Sequence, residues 1–426
     1  MQRWKVSIGW LLFVTGMAAM FLREPSFFLE PRFWAEEGLH YYAYAFQYAH
    51  GSLWYKGLIN IPQGYLAFWP IIASVIAANL APIDHAPLVT TLMAFLVQLI
   101  PLGLIVWGDA PLWDSPLRKT AGVLVVLLTP LSGEIWLNTI NSQFYLALAA
   151  VLILMEPIKK RPLSTWFYRF ILLLAGLTGP VASMLVPAYG IVTWLTRERE
   201  RGIQTAILGV CALLQAGLLL RFSTSDHMDL RFAGLGHSGL FPLVFAIWTQ
   251  GIGLMIFGSE WMHQVASWIV AGYRAGDIAI ALTWIGLTAL TASLFWWLSV
   301  RLTVRERVVF LGSYALLVVF SYIGALSRDK LNIVVGVGER YFWVPNAIFG
   351  FLLIRNGLFW SGNKFRAVFC FIILFVILAF GAVRYRSTLI IDPEWPKWRA
   401  EIAVWQDNPE YKVKIWPSGW EIELKK

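Results

Sequence analysis

Charge is scarce in this chain. Only 14% of its 426 residues are Asp, Glu, Lys or Arg, while 58% are hydrophobic and the mean hydropathy is +0.64. That composition excludes an ordinary soluble globular protein. Cysteine is nearly missing. Cys211 and Cys370 both lie inside apolar runs, so neither a disulfide framework nor a metal site is expected from them. No phosphate-cradling loop of the Gly-x4-Gly-Lys-Ser/Thr type occurs, which removes a nucleotide-driven pump. There is no HExxH pattern and no His pair four residues apart. No internal repeat is visible.

What remains is apolar sequence, in runs long enough to cross about 30 Å of hydrocarbon. The runs are continuous, whereas barrel strands would alternate. The expected fold is an all-α polytopic membrane protein of about 11–14 transmembrane helices. Candidate spans are 6–22, 65–82, 88–107, 120–132, 142–156, 167–178, 180–195, 203–221, 240–257, 278–300, 308–326, 341–355 and 366–384. Gly179-Pro180 divides 167–195 into two half-length pieces, because proline interrupts the helical ladder. Aromatics reach 15%, with 23 Trp, as interfacial belts require.

The net charge of +9 sits in short loops between spans, so it reads as membrane orientation and not as nucleic-acid binding. Arg3 and Lys5 precede the first apolar run. That run has no small-residue cleavage site at its end, so it reads as a retained helix with a cytoplasmic N-terminus. Lys159–Arg161, Arg197–Arg201, Arg301–Arg307 and Arg355–Arg366 are expected in the cytoplasm. Segments 23–64, 133–141, 223–239, 327–340 and 385–426 are expected outside. Strict alternation does not close: it sends Lys159–Arg161 and Arg197–Arg201 to the wrong side. One crossing is miscounted between 65 and 141 and another between 240 and 300, where 259–276 reads as a further short span or an interfacial helix.

Two domains follow: a transmembrane domain, 1–385, and a small outer element, 386–426. Within the first, 23–64 forms a long outer loop. Its stretch Leu39–His50 is rich in Tyr, Phe and Ala and reads as an aromatic helix on the membrane surface. In the tail, Trp395, Trp398, Ile402 and Trp405 recur at helical spacing. Lys412–Trp416 and Trp420–Leu424 alternate around Pro417-Ser418-Gly419, the pattern of a β-hairpin. Val413, Ile415, Ile422 and Leu424 would share one face, and lysines would oppose glutamates at about 0.2–1 kcal/mol per pair. A tail this small has no independent core and should pack on the outer loops.

Chemistry concentrates in Arg32-Phe33-Trp34-Ala35-Glu36-Glu37-Gly38. Adjacent carboxylates repel and separate their pKa values, which suits a general base near neutral pH. One of Glu36 and Glu37 would take a proton from an acceptor hydroxyl. The other would hold its partner or a divalent cation. The plainer alternative is a pair of solvated acids in the first turn of a helix. Phe33-Trp34 should hold the loop at the interface. Arg340 and Tyr341 open a late span from the outside, where a guanidinium suits a phosphate. Arg328 and Lys330 in the same loop, and Lys56 in the first, are further cations for that phosphate. The alternative is an ion pair of Arg340 with Glu339 or with an acid of the first loop. Asn138, Asn141 and Gln143 begin another span and suit sugar hydroxyls or, equally, loop capping. In the stretch with Asp226, His227, Asp229, Arg231 and His237, the acids and imidazoles carry metal-ligand chemistry, but a solvated loop explains them better.

Together these motifs resemble the GT-C superfamily of integral membrane glycosyltransferases. The carriers of the resemblance are Phe33-Trp34-Ala35-Glu36-Glu37-Gly38, the aromatic stretch Leu39–His50, the half-length central helices and Arg340-Tyr341. Within the superfamily the chain is most similar to bacterial O-antigen or pilin sugar transferases, whose loop typically reads Ala-Glu-Asp-Gly. Their tail often carries Trp-Pro-x-Gly-Trp, here Trp416-Pro417-Ser418-Gly419-Trp420. The resemblance implies a polyprenyl-phosphate-linked sugar donor and a glycan, lipid or protein acceptor. It implies transfer on the outer face of the bacterial cytoplasmic membrane, and leaves a divalent cation open as a cofactor. Glu37 departs from the usual Asp. Its longer arm leaves the division of roles open, with Glu36 favoured as the base. A lipid flippase or transporter would place ionisable residues near the bilayer midplane. A glycan polymerase or ligase would place its reactive residues in a large late outer loop.

Overall fold

The computed structural model describes residues 2–130, 132–158, 162–222, 241–323, 338–359, 363–387, 389, 391–392 and 394–425. They are mostly helical and end in a small β-hairpin. In chain order the helices are α1 (Gln2–Arg23), α2 (Phe68–Leu80), α3 (Ala86–Trp107), α4 (Pro116–Leu128), α5 (Ser142–Met155), α6 (Pro162–Leu177), α7 (Val186–Thr196) and α8 (Arg199–Phe222). Then come α9 (Phe241–Phe257), α10 (Ser259–Ala275), α11 (Ile278–Ser299), α12 (Ser313–Ser321), α13 (Arg340–Gly357), α14 (Lys364–Val383) and α15 (Trp398–Asp407). Among the described residues, four helical stretches are long and apolar enough to cross a membrane: Ile83–Trp107, Arg199–Phe222, Ile278–Ser299 and Lys364–Val383.

Helix α5 is the axis of the molecule. It is apolar on every face, and all its residues from Ser142 to Met155 are buried, as expected of a central helix. It packs on α3, α6 and α13. Helix α11 is the opposite case: Leu282, Ile285, Leu290 and Trp296 point outward and are exposed.

The molecule has two chemically distinct ends. At one, Arg201 donates to the Ile153 carbonyl at 2.9 Å and Arg305 to the Glu156 carbonyl at 2.9 Å. Cations there complement the exposed carbonyls at the end of α5. Arg355 pairs with Glu306 at 2.6 Å. The Glu156 carboxylate accepts from the Asp109 and Ala110 N–H groups at 2.8 and 3.0 Å, so α3 ends there too. Its other end begins at Ile83, whose carbonyl accepts from the Trp398 indole at 2.8 Å. Helix α3 therefore runs the full height of the molecule.

Helix α2 does not, and this corrects the expected span 65–82. The His50 N–H donates to Asn79 Oδ1 at 3.0 Å, and α2 packs along the helical turns of the first loop. With α2 left out of the count, alternation moves the segments after α5 and α7 together to the opposite side. The stretch 259–276, ambiguous in the sequence, is the one-sided helix α10. Met262, Ala266 and Ile269 face the protein while Trp261 and Trp268 are exposed.

The break at Gly179 is real. Helix α6 stops at Leu177, and Gly179 has φ +97°, which favours glycine. The freed backbone groups find protein partners: the Gly179 N–H donates to the Leu66 carbonyl at 3.0 Å, and Thr178 bridges Ala67. Gln215 accepts from the Leu66 N–H and donates to the Leu66 and Gly176 carbonyls, all at 2.9–3.0 Å.

The tail folds as its alternation dictates. Strands β1 (Val413–Ile415) and β2 (Trp420–Ile422) pair antiparallel, Val413 opposite Ile422 and Lys414 opposite Glu421. Val413, Ile415, Ile422 and Leu424 are buried together, and Lys412 pairs with Glu423 at 3.3 Å. The tail packs on the first loop. Trp398 meets Phe33 edge-on at 4.9 Å, and Trp405 meets Phe46 at 6.0 Å. The aromatic stretch after Gly38 is helical, as Glu37–Tyr42 and Ala43–Gln47. However, its Tyr41, Tyr42 and Ala45 are buried in protein, so that face packs inward instead of lying open at a surface.

Candidate functional site

The acid pair lies where three chain segments cross. The first is Arg32–Gly38. Arg32 is buried; its guanidinium donates to the Leu137 and Trp136 carbonyls at 3.1 and 3.2 Å and lies 3.8 Å from the Phe27 ring centre. The second is the tail. The Trp416 N–H donates to the Phe33 carbonyl at 3.2 Å, and the Trp416 carbonyl accepts from the Ala35 N–H. Phe33 and Trp34 are fully packed by these contacts, so they anchor the loop to protein and not to an interface. Ala35 has φ +40°, a left-handed conformation that a non-glycine residue adopts only where its surroundings impose it. The third segment, 134–141, supplies the partners of the carboxylates.

The two glutamates diverge at this point. Glu37 is buried. Its Oε1 accepts from the Thr139 N–H at 2.7 Å and from the Thr139 hydroxyl, and its Oε2 accepts from the Trp34 N–H at 3.3 Å. Burial pushes its pKa above the usual carboxylate range, against the pull of these donors and of Arg32. Glu37 ties the first loop to the 134–141 loop. Glu36 is half-buried and, among the described residues, makes no hydrogen bond or ion pair. Its charge acts on His40, on Tyr41 and on Arg340. Burial lowers the His40 pKa against that charge and raises the Tyr41 pKa, so both side chains are neutral at pH 7.

Arg340 stands at the start of α13. It forms an ion pair with Glu134 and lies 5.2 Å from the Tyr341 ring centre. The expected acid partners were Glu339 or a first-loop acid; the direct pair is with Glu134, and Glu36 contributes by its charge. Glu134 is the residue that sequence reasoning missed. Its signal was an acid in the short stretch Ser132-Gly133-Glu134 between apolar runs.

Asn138 and Asn141 take the loop-capping alternative. Both are buried, and their amides donate to the Glu134 carbonyl at 2.8 and 3.0 Å. Gln143 is buried against Gly179, close enough that a Cβ at 179 would sit 2.3 Å from its Oε1. Tyr341 packs edge-on to Phe144 at 5.6 Å. Lys56 lies over the Tyr48 ring at 5.6 Å and makes no ion pair with Glu36 or Glu37. Arg328, Lys330 and the Asp226–His237 group lie outside the described residues. Among the described residues, no group of three or more His, Cys, Asp or Glu gathers as a metal site, and Cys211 and Cys370 are free thiols.

The arrangement thus offers one accessible carboxylate beside a guanidinium, on a loop held by a second, locked carboxylate. A search of family models, of curated proteins and of solved structures finds no match to this chain.

Proposed function

We propose that the chain is a polytopic membrane glycosyltransferase of the GT-C kind. It would move a sugar from a polyprenyl-phosphate carrier to a glycan, lipid or protein hydroxyl. The observation that carries the reading is the division between the two glutamates. Glu36 makes no hydrogen bond or ion pair among the described residues and is half-buried within the electrostatic reach of Arg340, while Glu37 is locked on Thr139. A general base needs an available lone pair within reach of its substrate, and Glu36 alone of the pair has one.

In this mechanism Glu36 takes the proton of the acceptor hydroxyl as that oxygen attacks the anomeric carbon. The carbon–phosphate-oxygen bond breaks on the opposite face, so the configuration inverts. The departing lipid phosphate keeps the electron pair and needs charge stabilisation more than a proton. Arg340 supplies positive charge beside the base, with Lys56, Arg328 and Lys330 as further cations for the phosphate. Glu37 and Arg32 hold the loop. Outward-facing Leu282, Ile285 and Trp296 on α11 and the arginine cluster at the far end of α5 support a membrane setting. In that setting the arginine end is cytoplasmic and the glutamate end outside. The membrane of this reading is the bacterial inner membrane.

The test uses membranes containing the full chain and a polyprenyl-phosphate-linked hexose labelled in the sugar. Transfer predicts that label leaves the lipid and appears on an acceptor with inverted anomeric configuration. Label that crosses the bilayer still bonded to its lipid contradicts transfer and supports a flippase.

A further inference from the structure

A second polar site lies on the same end of the molecule and is not used by the mechanism above. A cavity of about 370 Å3 opens between α1, α4, α9, α10 and α14. Arg384 reaches it from the end of α14, where its guanidinium donates to Ser259 Oγ at 2.7 Å and lies 3.7 Å from Glu260. Glu260 is 85% exposed, so solvent screens that pair and it holds Arg384 weakly. Gly258, at φ +84°, leaves the room that the guanidinium occupies: a Cβ there would sit 3.2 Å from Arg384 Nη1. Arg23 forms another wall. It donates to the Tyr385 carbonyl at 2.7 Å and stacks 4.2 Å from the Trp136 ring centre.

The rest of the lining is divided. Ser132, Ser259 and Ser387 join the arginines, while Leu127, Leu254, Ile377 and Phe380 form an apolar wall. Phe380 is also exposed outward, as are Phe257 and Val383, each one residue before a lining residue. The cavity therefore combines two guanidiniums and hydroxyls with an apolar exit. Arg340, by contrast, is already paired with Glu134. Glu339 lines the cavity and adjoins Arg340, and the stretch from Ser132 to Thr139 runs from the cavity to Glu37.

We infer that this cavity seats the phosphate of a phosphate ester carrying a hydrocarbon chain. The phosphate oxygens accept from Arg384 and Ser259, displacing the screened Glu260 contact. The chain leaves past Phe380. The inference deepens the transferase reading and rests on it only for the ligand's role as donor: it seats the donor phosphate on Arg384, leaving Arg340, paired with Glu134, as the positive charge beside the base.

The test measures binding, with no sugar present, by the full chain in a neutral detergent. Radiolabelled farnesyl phosphate is the probe; farnesol and inorganic phosphate are the competitors. Farnesyl phosphate binds at least about tenfold more tightly than either competitor. Arg384→Ala weakens it by about tenfold or more, the loss of a charged hydrogen bond. Arg384→Lys restores part of the binding, and Glu260→Gln tightens it. Arg386→Ala, at an exposed residue paired with Glu24 at 3.0 Å, leaves it unchanged. The melting temperature of each variant shows that it folds, and Ser259→Ala gives a second, smaller loss if Arg384→Ala does not. Binding untouched in both Arg384→Ala and Ser259→Ala overturns the inference. So does inorganic phosphate binding as tightly as the ester, which marks a free-phosphate site, or farnesol doing so, which marks an apolar one. Binding through Arg384 without any sugar transfer supports the cavity and removes the transferase. Transfer that is indifferent to Arg384→Ala keeps the transferase and overturns the cavity as the seat of its donor.

Discussion

Two adjacent carboxylates of the same chemistry have different surroundings because their partners differ. Glu36 has none among the described residues, whereas Glu37 has three donors, two of them from Thr139. Glu36→Gln is expected to cut sugar transfer by about 10²–10⁴, the usual contribution of a general base, with an unchanged melting temperature. Glu37→Gln sets an amide against donors built for a carboxylate. It should cost about 1–3 kcal/mol of stability, read as a lower Tm. The pH dependence has a definite sign. Burial raises the Glu37 pKa above its ordinary value of 4.5, so the folded state favours the protonated acid. The stability Glu37 confers is complete below that value and is lost as pH rises through the raised pKa. The Tm of the wild type minus that of Glu37→Gln should therefore be larger at pH 4.5 than at pH 8. A gap that widens with pH contradicts the assignment. The pair itself was legible in the sequence as a costly feature beside an apolar run. The division of labour was not, because it depends on Thr139, about a hundred residues away, and on Trp34.

At the scale of elements, the tail holds the loop that carries Glu36 and Glu37, and the broken helix holds the chain just before α2. Trp416 pairs its backbone with Phe33 and Ala35, and Trp398 packs on Phe33 and Tyr42. Trp398→Ala removes a buried ring and should cost about 3–5 kcal/mol. Its transfer activity should fall with Tm, because the left-handed Ala35 needs those contacts. Gly179→Ala meets both a positive φ and the Gln143 side chain. It should destabilise by more than the roughly 0.4–1 kcal/mol that a well-fitting Gly→Ala change gains, read as a lower Tm. Adding Gln143→Ala should recover only the part due to the clash. An unchanged Tm in Gly179→Ala contradicts the observed break. The hairpin and the break were readable because alternation and Gly-Pro are local signals. Helix α2 was misread as a span because its apolar length matches one; what it packs against, the helical turns of the first loop, is a tertiary fact that composition does not carry.

At the scale of the molecule, the arginine end and the glutamate end lie at opposite termini of α5, separated by a helix of about 20 Å. The basic segments that strict alternation separated share one end: Arg201 and Arg305 both donate to carbonyls at the end of α5. In the proposed orientation, Lys414→Cys in the exposed edge of β1 should react with a membrane-impermeant maleimide in intact spheroplasts. Arg199→Cys should react only after permeabilisation. Cys211 and Cys370 are buried and should stay silent. Labelling of both positions from the same side contradicts the two-ended arrangement.

The division between the glutamates is tested most directly by single-turnover kinetics. The full chain is loaded with a polyprenyl-phosphate-linked hexose and mixed with a hydroxyl acceptor, and release of the lipid phosphate is timed in the wild type, Glu36→Gln and Glu37→Gln. With Glu36 as the base, Glu36→Gln binds donor normally but loses the chemical step by about 10²–10⁴. Glu37→Gln retains that step in whatever fraction remains folded. A Glu36→Gln protein that turns over at the wild-type rate, or a folded Glu37→Gln protein that alone loses the step, contradicts it.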